Sequence, residues 1–341
     1  MGIADSSGFT RARSEEGSVV LLSPSINAGI HWDQLIVSWN ADAPAGTFVT
    51  IEAAAIGDGY RTRFYTLGKW SSDGRIFPRT SVVRQKDADG RVDTDTLVLQ
   101  HAADAAQIRI TLGGTNGAMP TLKFLGCSFA NTLAMPSGTA SAVGHPWEQS
   151  AGMHRIIPTP ERSQHGYPQA NGWCSPASVS MVLGHWADVL HRPELDHTVP
   201  DVASAVYDPG YPGTGNWSFN TAFAGGFRGL RAYVTRLDDL GEVEAWVAAG
   251  IPVVLSTRWD WLRPGRPLDA EGHLIVVIGF TENGDVIAND PSAQLNRRES
   301  VRQIYRRADV VHAWAKSHHA VYLIYPLGAK IPENDGGHWQ K

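Results

Sequence analysis

Short apolar runs separated by turn residues dominate the first third of the chain. Between Val19 and Leu133 there is no helical pattern of useful length, and the runs include QLIVSWN, GTFVTIEAAA, DTLVLQ, QIRITLGG and TLKFLGCSF. Apolar and polar residues alternate in Val49-Thr50-Ile51-Glu52 and again over 107–112. Repeated short strands with Gly, Asn and Asp between them are typical of a β-sandwich. We therefore expect an all-β sandwich domain over residues 19–135, preceded by a polar tail at 1–18.

The pattern changes at about residue 136. Residues 136–160 are rich in Ala, Ser, Gly and Pro, which indicates a linker. The stretch ASVSMVLGHWADVL then has apolar residues at helical spacing, and Pro176 fits the first turn of such a helix. Those apolar residues are Val179, Val182, Leu183, Trp186 and Leu190.

A second helix is predicted where Asp239 precedes LGEVEAWVAAG, because Asp is a favoured N-cap and Gly250 is a favoured stop. Four apolar runs follow, PVVLST, HLIVVIGF, DVIAND and AVYLIYP, and Asn283-Gly284 predicts a tight hairpin between the second and third. Helices followed by an antiparallel sheet predict an α+β domain over residues 161–330, with a tail at 331–341. We expect residues from about 150 to 330 to fold on their own.

Composition narrows the possible partners. The 341 residues are 43% hydrophobic and 18% charged, with a net charge of -5 and no Lys/Arg run. Nucleic acid and anionic membranes are therefore poor candidates for a partner. No window has the ~18 consecutive apolar residues of a membrane span. The first residues lack the apolar region of a secretory signal, so we expect a cytoplasmic protein or a secreted one whose signal was removed. The compartment and the oligomeric state stay open.

The chain has two cysteines in very different surroundings. Cys127 lies in the apolar run LKFLGCSFA and is expected to be a buried thiol. Cys174 lies at the predicted helix start, where the helix dipole and unpaired N–H groups favour a thiolate. A nucleophilic cysteine also needs a base, and His273 opens the apolar strand LIVVIGF. Asp290, which ends the next strand, is the candidate to orient the imidazole.

The hairpin register bears directly on this choice. A symmetric turn at Asn283-Gly284 would put Asp290 opposite Val277, on the same face as His273 but four residues away. That separation is roughly 13 Å, which is too far for a hydrogen bond. We therefore expect an asymmetric or bulged connection, or strong coiling of the sheet. Asn289 has the wrong parity in that register and ranks second.

Residues 162–325 resemble the C39-like branch of the papain-like peptidases. The resemblance is carried by Ser163-Gln164, Trp173-Cys174-Ser175-Pro176-Ala177-Ser178, Gly272-His273-Leu274, Gly279-Phe280 and Asn289-Asp290-Pro291, and 215–222 matches a bacterial subgroup. It implies a papain-like fold and a thiol peptidase with Cys174, His273 and Asp290 in the catalytic roles. It also implies an oxyanion-hole glutamine, assigned to Gln164 with Gln169 as the alternative. It implies a peptide or protein substrate and no cofactor.

Tryptophan is abundant, with 12 residues. Trp32, Trp39 and Trp70 either pack in the β-domain core, which we prefer, or line a binding face. Trp173, Trp217 and Trp259 are candidates for substrate binding, and Trp261 shares the loop-like context of the last two. His185, His191 and His197 are spaced by six residues, which does not place them on one helical face, so we assign no zinc site.

Two other functions stay open at this level. The same triad could transfer the acyl group to an amine, which would make the protein an acyltransferase or amidase. Alternatively, the β-domain could be a binding module and the cysteine site vestigial. Product analysis with added amines separates the first rival, and stoichiometric thiol labelling argues against the second. The substrate sequence and the ligand of the β-domain cannot be read from the chain.

Overall fold

A computed structural model describes residues 1–12, 17–134, 156–168, 172–262, 272–334 and 336–339. Most of the expected linker, 136–155, lies outside the described residues, as does Gln169. The chain divides into two compact units, and each is built from segments that are not contiguous in sequence. The first comprises Met1–Met135, Ala205–Arg228 and Ala232–Val234, and the second Pro136–Ser204, Gly229–Arg231 and Thr235–Lys341.

The first unit contains a ten-stranded sheet in which every described pairing is antiparallel. The sheet is branched, because the longest strand pairs with four others. Its expected arrangement as a sandwich of two layers stays a prediction. The strands are β1 (Gly2–Ile3), β2 (Thr10–Ala12), β3 (Ser18–Leu22), β4 (Ile26–Asp42), β5 (Thr47–Gly57), β6 (Tyr60–Arg61), β7 (Tyr65–Trp70), β8 (Gly90–Asp93), β9 (Thr96–Gly114) and β10 (Thr121–Ala130).

The alternation seen in the sequence is the alternation of burial in the sheet. Ile51 in β5 and Ile110 in β9 are fully buried and directly opposite each other. Their neighbours Glu52 and Arg109 are also paired, on the other face, and form a salt bridge of 2.6 Å. The first residues do not form a simple tail, since β1 pairs with β10 and β2 with β3.

The first unit also includes helix α3 (Trp217–Gly226), which comes from the middle of the chain. The Asp95 carboxylate, directly before β9, accepts hydrogen bonds from the backbone N–H groups of Trp217 at 2.5 Å and Ser218 at 3.4 Å. A carboxylate in this position stabilises the start of the helix. Phe219 packs against Trp39 and Trp70, with ring centroids 6.1 and 5.4 Å apart. Trp32, Trp39 and Trp70 are all buried, which confirms core packing for these three tryptophans.

A second, six-stranded sheet lies in the second unit, except that Ala232–Val234 of its strand β11 belong to the first unit. In the order of their pairing the strands are β11 (Leu230–Arg236), β16 (Ala320–Pro326), β12 (Val253–Arg258), β13 (Gly272–Phe280), β14 (Val286–Asn289) and β15 (Arg302–Tyr305). The other α-helices of the described residues are α1 (Cys174–Leu190), α2 (Val199–Val206), α4 (Leu240–Ala248), α5 (Trp259–Leu262) and α6 (Arg307–Ala315).

Up to its last turn, helix α1 is buried on all sides rather than on one face. Every residue from Cys174 to Ala187 is buried, including four polar side chains. The small hydroxyls in this stretch have partners: Ser175 bonds Tyr322 at 2.9 Å and Ser180 donates to the His197 carbonyl at 2.7 Å. Trp186 donates its indole N–H to the Ile324 carbonyl at 2.9 Å. These bonds make the all-round burial of α1 possible.

The predicted helix end signals are confirmed at α4. Asp239 accepts the backbone N–H groups of Gly241 at 2.8 Å and Glu242 at 3.3 Å. Gly250, just beyond the helix, has a φ of 82°, a conformation that favours glycine. The expected C-terminal tail, 331–341, contains a residue that packs in the second unit. Trp339 is buried against Trp246, with ring centroids 5.5 Å apart. Within the described residues, none of the helices has the length and apolarity required to cross a membrane.

Candidate active site

Cys174 is the first residue of α1 and its side chain is buried. The N-cap residue is Trp173, and no side chain caps this helix end. The backbone N–H groups of the first turn are therefore not bonded by a capping side chain. Helix dipole and N–H groups both favour negative charge at this position, as expected for a thiolate.

His273 is the second residue of β13 and is buried at 5% exposure. Its backbone pairs with Thr257 in β12, and the Thr257 hydroxyl donates to the His273 carbonyl at 3.0 Å. The Trp259 ring lies edge-on to the imidazole, with centroids 4.7 Å apart. Neighbouring strands and an aromatic ring thus restrict how far this imidazole can turn.

The imidazole contacts both other residues singled out in the sequence. His273 Nε2 and Asp290 Oδ1 are 2.8 Å apart, and the His273 side chain also hydrogen-bonds Cys174. Because Nε2 is engaged by the carboxylate, Nδ1 is the ring nitrogen that is left for the sulfur. The structure therefore brings Cys174, His273 and Asp290 together, with the imidazole bonded to both of the other side chains.

The connection between β13 and β14 differs from the two-residue hairpin expected at Asn283-Gly284. It spans Thr281–Asp285, where the Thr281 N–H donates to the Asp285 carbonyl at 2.9 Å, and a register shift follows between Val277 and Gly279. Asn289 pairs with Val276, so Asp290 continues the register opposite Ile275 rather than Val277. The five-residue connection and the bulge together move Asp290 two residues closer to His273, which closes the gap.

Asn289, the second-ranked candidate, points elsewhere. Its side-chain amide donates to the carbonyls of Thr159 at 3.3 Å and Pro160 at 3.2 Å. It therefore ties the segment before the helix to β14 and does not orient the imidazole.

The charges of the pair support each other. Burial alone would lower the pKa of His273, but the charge of Asp290 and hydrogen bonds with Asp290 and Cys174 raise it to about 10. Burial alone would raise the pKa of Asp290, but the imidazolium and hydrogen bonds from His273, Ser292 and Tyr305 hold it well below its usual range. The site thus favours an imidazolium beside a carboxylate at neutral pH.

Gln164 lies beside the turn that carries Asp290. Its backbone N–H donates to the Pro291 carbonyl at 2.7 Å, and the Ser163 hydroxyl donates to the Ala293 carbonyl at 2.7 Å. The Gln164 side-chain Oε1 is buried, with no hydrogen-bond partner among the described residues. The segment is therefore held against the Asp290 turn by the backbone of Gln164 and the side chain of Ser163.

The tryptophans proposed to bind substrate lie in three different settings. Trp259 is at the start of α5, against His273. Trp173 precedes Cys174 and stacks on Tyr167 with centroids 5.9 Å apart. Trp217 begins α3 and belongs to the first unit.

The other residues considered for chemistry fall outside this arrangement. Cys127 is a free, buried thiol in β10, and burial raises its pKa to about 11, which opposes thiolate formation. His185 donates from Nδ1 to the Pro158 carbonyl at 2.6 Å. Among the described residues there is no group of three or more His, Cys, Asp or Glu placed to hold a metal ion.

Sequence reasoning missed two residues of the site, Ser292 and Tyr305, which both donate hydrogen bonds to Asp290. Ser292 could have been found, because the side chain of an aspartate in a turn commonly accepts the backbone N–H of the residue two positions later. Tyr305 is 15 residues beyond Asp290 and only strand pairing brings it near.

The family model described as Peptidase C39 N-terminal domain matches residues 7–130, and the model described as Peptidase_C39 like family matches residues 156–322. No curated protein matches the chain. A crystal structure of a Bacillus anthracis protein with a proposed C39-like peptidase assignment has 18% identity and a TM-score of 0.36, covering 49% of this chain and 96% of its own. Through these two matched segments, the chain belongs to the C39-like peptidase family.

Proposed function

We propose that the chain is a cysteine peptidase that hydrolyses peptide bonds through Cys174, His273 and Asp290. The observation that carries this proposal is the hydrogen-bonded series from Cys174 at the start of α1 to His273 and on to Asp290. In this proposal the second unit is a papain-like domain and the first is a β-sandwich of accessory role.

The reaction follows from the charges. The Cys174 thiolate adds to the substrate carbonyl carbon, and the carbonyl oxygen becomes an oxyanion. The tetrahedral intermediate collapses as the C–N bond breaks and the His273 imidazolium gives its proton to the leaving amine. The neutral imidazole then takes a proton from water, which attacks the thioester carbonyl. Release of the acid restores the thiolate and the imidazolium.

Two donors are proposed for the oxyanion. One is the Cys174 backbone N–H, at a helix start without a capping side chain. The other is the Gln164 side chain, which the backbone bond from Gln164 to Pro291 holds next to the Asp290 turn. Donors fixed in this way stabilise the transition state more than the ground state, because charge develops there during the reaction.

A cleft adjoins the same two segments. It has a volume of about 440 Å³ and is lined by His165, Gly166, Gln294, Leu295 and Asn296. His165 and Gly166 come directly after Gln164 in the sequence. The other three lining residues begin four residues after Asp290. We place part of the peptide substrate in this cleft, with Trp259 and Trp173 bordering the catalytic residues and Trp217 kept as a further candidate.

The test of this function is cleavage of a diverse peptide library, with products identified by mass spectrometry. We expect new carboxyl and amino termini in equal amounts. Added primary amines separate hydrolysis from acyl transfer, since a transferase would convert the acyl group to amides. A library left intact by protein whose Cys174 is rapidly alkylated would contradict a peptidase.

Replacement of Gln164 by alanine should lower kcat by about 10²-fold, the loss typical of one oxyanion donor. KM should change little, because the donor acts on charge that develops after binding. The matched control is Gln169→Ala, which removes the other glutamine considered for this role. A larger loss for Gln169→Ala than for Gln164→Ala would reverse the assignment.

Substitutions of Asp290 should lower turnover according to how much they loosen the orientation of the His273 imidazole. Asp290→Asn should lower turnover about 10-fold, or ~1.4 kcal/mol, because the imidazole is already protonated in the ion pair and a neutral group can still orient it. Asp290→Ala should cost more, since the ring is then free to turn.

The pH dependence gives an independent reading of the same two variants. With the pKa of His273 at about 10, the imidazolium persists in the folded protein below that pH and is lost above it. Removal of the carboxylate should lower this pKa, so the basic limb of kcat/KM should move to lower pH in both variants. NMR titration of the imidazole checks the shift, and an unchanged His273 pKa with full turnover would make Asp290 a turn residue only.

A further inference from the structure

Asp290 carries more hydrogen bonds than the orientation of one imidazole requires. Its side chain is fully buried, and Oδ1 accepts from His273 Nε2 at 2.8 Å, from the Ser292 N–H at 2.8 Å and from the Ser292 hydroxyl at 2.5 Å. The Tyr305 hydroxyl donates to the other oxygen, Oδ2. Both carboxylate oxygens are therefore held, and by different parts of the chain.

The contact with Tyr305 depends on a long reach across the sheet. Tyr305 pairs with Val286, at the opposite end of β14 from Asp290, while the Asp290 N–H donates to the Val301 carbonyl at 2.8 Å. Side chains alternate along a strand, so residues 301 and 305 share the face that carries Asp290. Ala288, which lies on that face between Val286 and Asp290, has a small side chain and is fully buried. Tyr305 is itself buried, and its hydroxyl reaches Asp290 Oδ2.

The same face carries His273. Val276 pairs with Asn289, so Ile275 stands level with Asp290, and His273 shares the parity of Ile275. One sheet face thus holds the imidazole, the carboxylate and the phenol across three adjacent strands, β13, β14 and β15.

We propose that Tyr305 is a positioning residue for the Cys174–His273 pair and acts through Asp290. Its hydroxyl stabilises the charged carboxylate and fixes rotation about the Cβ–Cγ bond, so that Oδ1 stays aimed at His273 Nε2. Ser292 holds Oδ1 from the same turn, and Tyr305 supplies the support that this turn cannot provide. The inference rests on the proposed role of Cys174 as nucleophile.

The test is the alkylation rate of Cys174 by iodoacetamide at neutral pH, which needs no knowledge of the substrate. All variants carry Cys127→Ser, so that one thiol remains. We expect Tyr305→Phe to react about 10-fold more slowly than its parent, the effect of losing one hydrogen bond to a charged group. Asp290→Ala should react more slowly still, and the double variant should match Asp290→Ala within roughly twofold, because Tyr305 acts only through Asp290.

Tyr65→Phe is the matched control. Tyr65 is a buried tyrosine whose hydroxyl also donates to an aspartate, Asp87, but in the first unit. In the Tyr65→Phe variant, Cys174 should be alkylated at the parent rate. If Tyr305→Phe does not fold, 4-aminophenylalanine and 4-methylphenylalanine at position 305 fill the volume of the phenol with and without a donor. We then expect the first to react faster than the second.

The outcomes separate the two proposals. A parent protein whose Cys174 reacts no faster than an unactivated thiol would overturn the proposed function. A reactive parent with an unchanged Tyr305→Phe rate, or with equal rates for the two phenylalanine analogues, would overturn the role of Tyr305 alone. So would a double variant that loses the product of the two single effects, since independent effects multiply.

Discussion

Cys174→Ala is expected to lower peptide hydrolysis by at least about 10³-fold, because the proposed acyl-enzyme forms on the Cys174 sulfur. The fold should survive, since the substitution removes one sulfur atom from a side chain of 7% exposure at the first residue of a helix. Turnover on the peptide library and a thermal melt on the same sample check both parts. Alanine is also a better helix former than cysteine, which favours α1.

Cys127→Ser is the matched control for this result. Cys127 is buried in β10 and burial raises its pKa to about 11, so it should make no contribution to turnover. Some loss of stability is expected, because serine places a hydroxyl in an apolar position. Loss of activity in a folded Cys127→Ser protein, or turnover by Cys174→Ala near that of the parent, would show that the wrong cysteine was chosen.

A fragment of residues 150–341 is expected to fail to fold cooperatively, contrary to the expectation from the sequence. Residues 205–228 fall inside this fragment but belong to the first unit. Without 1–134, α3 would expose Phe219, which is 0% accessible, and Asp95 would no longer support the helix start. Exposure of one such aromatic side chain costs ~1.5–3 kcal/mol, a large share of the ~5–15 kcal/mol that stabilises a domain.

Supplying residues 1–134 as a second chain is the control for the fragment. Because the first unit is built from both pieces, we expect the two chains to co-purify and to recover a cooperative melt and Cys174 alkylation. Gel filtration and circular dichroism check the assembly. A monomeric fragment 150–341 that melts cooperatively and alkylates at the full-length rate would instead mean that α3 is dispensable.

A second comparison localises the effect to α3. Gly225 approaches β4 so closely that a β carbon there would lie 1.9 Å from Asn40 Nδ2. Gly225→Ala should therefore destabilise the full-length protein. Gly226, whose β carbon would approach no atom closer than 3.8 Å, offers the matched substitution Gly226→Ala, with a smaller effect.

Much of the site could be anticipated from short stretches of sequence. A cysteine before a helix-start proline, a histidine opening an apolar strand and an aspartate ending the next strand identified the residues that the structure brings together. The caps of α4 and the alternation in β5 and β9 were equally visible. Each of these signals depends on neighbours within a few residues, where propensity, capping and side-chain periodicity act.

Other features depended on contacts between distant segments. The turn at Asn283-Gly284 looked like a two-residue hairpin, but the five-residue connection and the bulge after Val277 set the true register. Tyr305 reaches Asp290 only because β15 pairs with β14. Nothing local distinguishes Tyr305 from any other tyrosine at a strand end.

The sequence alone therefore determined which residues can form each strand or helix and which side chains can carry the chemistry. The tertiary structure decided the register that aligns Asp290 with His273 and the membership of α3 in the first unit. The physical reason is the range of the interactions. Helix caps and the periodicity of burial depend on residues a few positions apart in the sequence. The position of a bulge, or the packing of a helix on a sheet remote in sequence, depends on packing and hydrogen bonds throughout the unit.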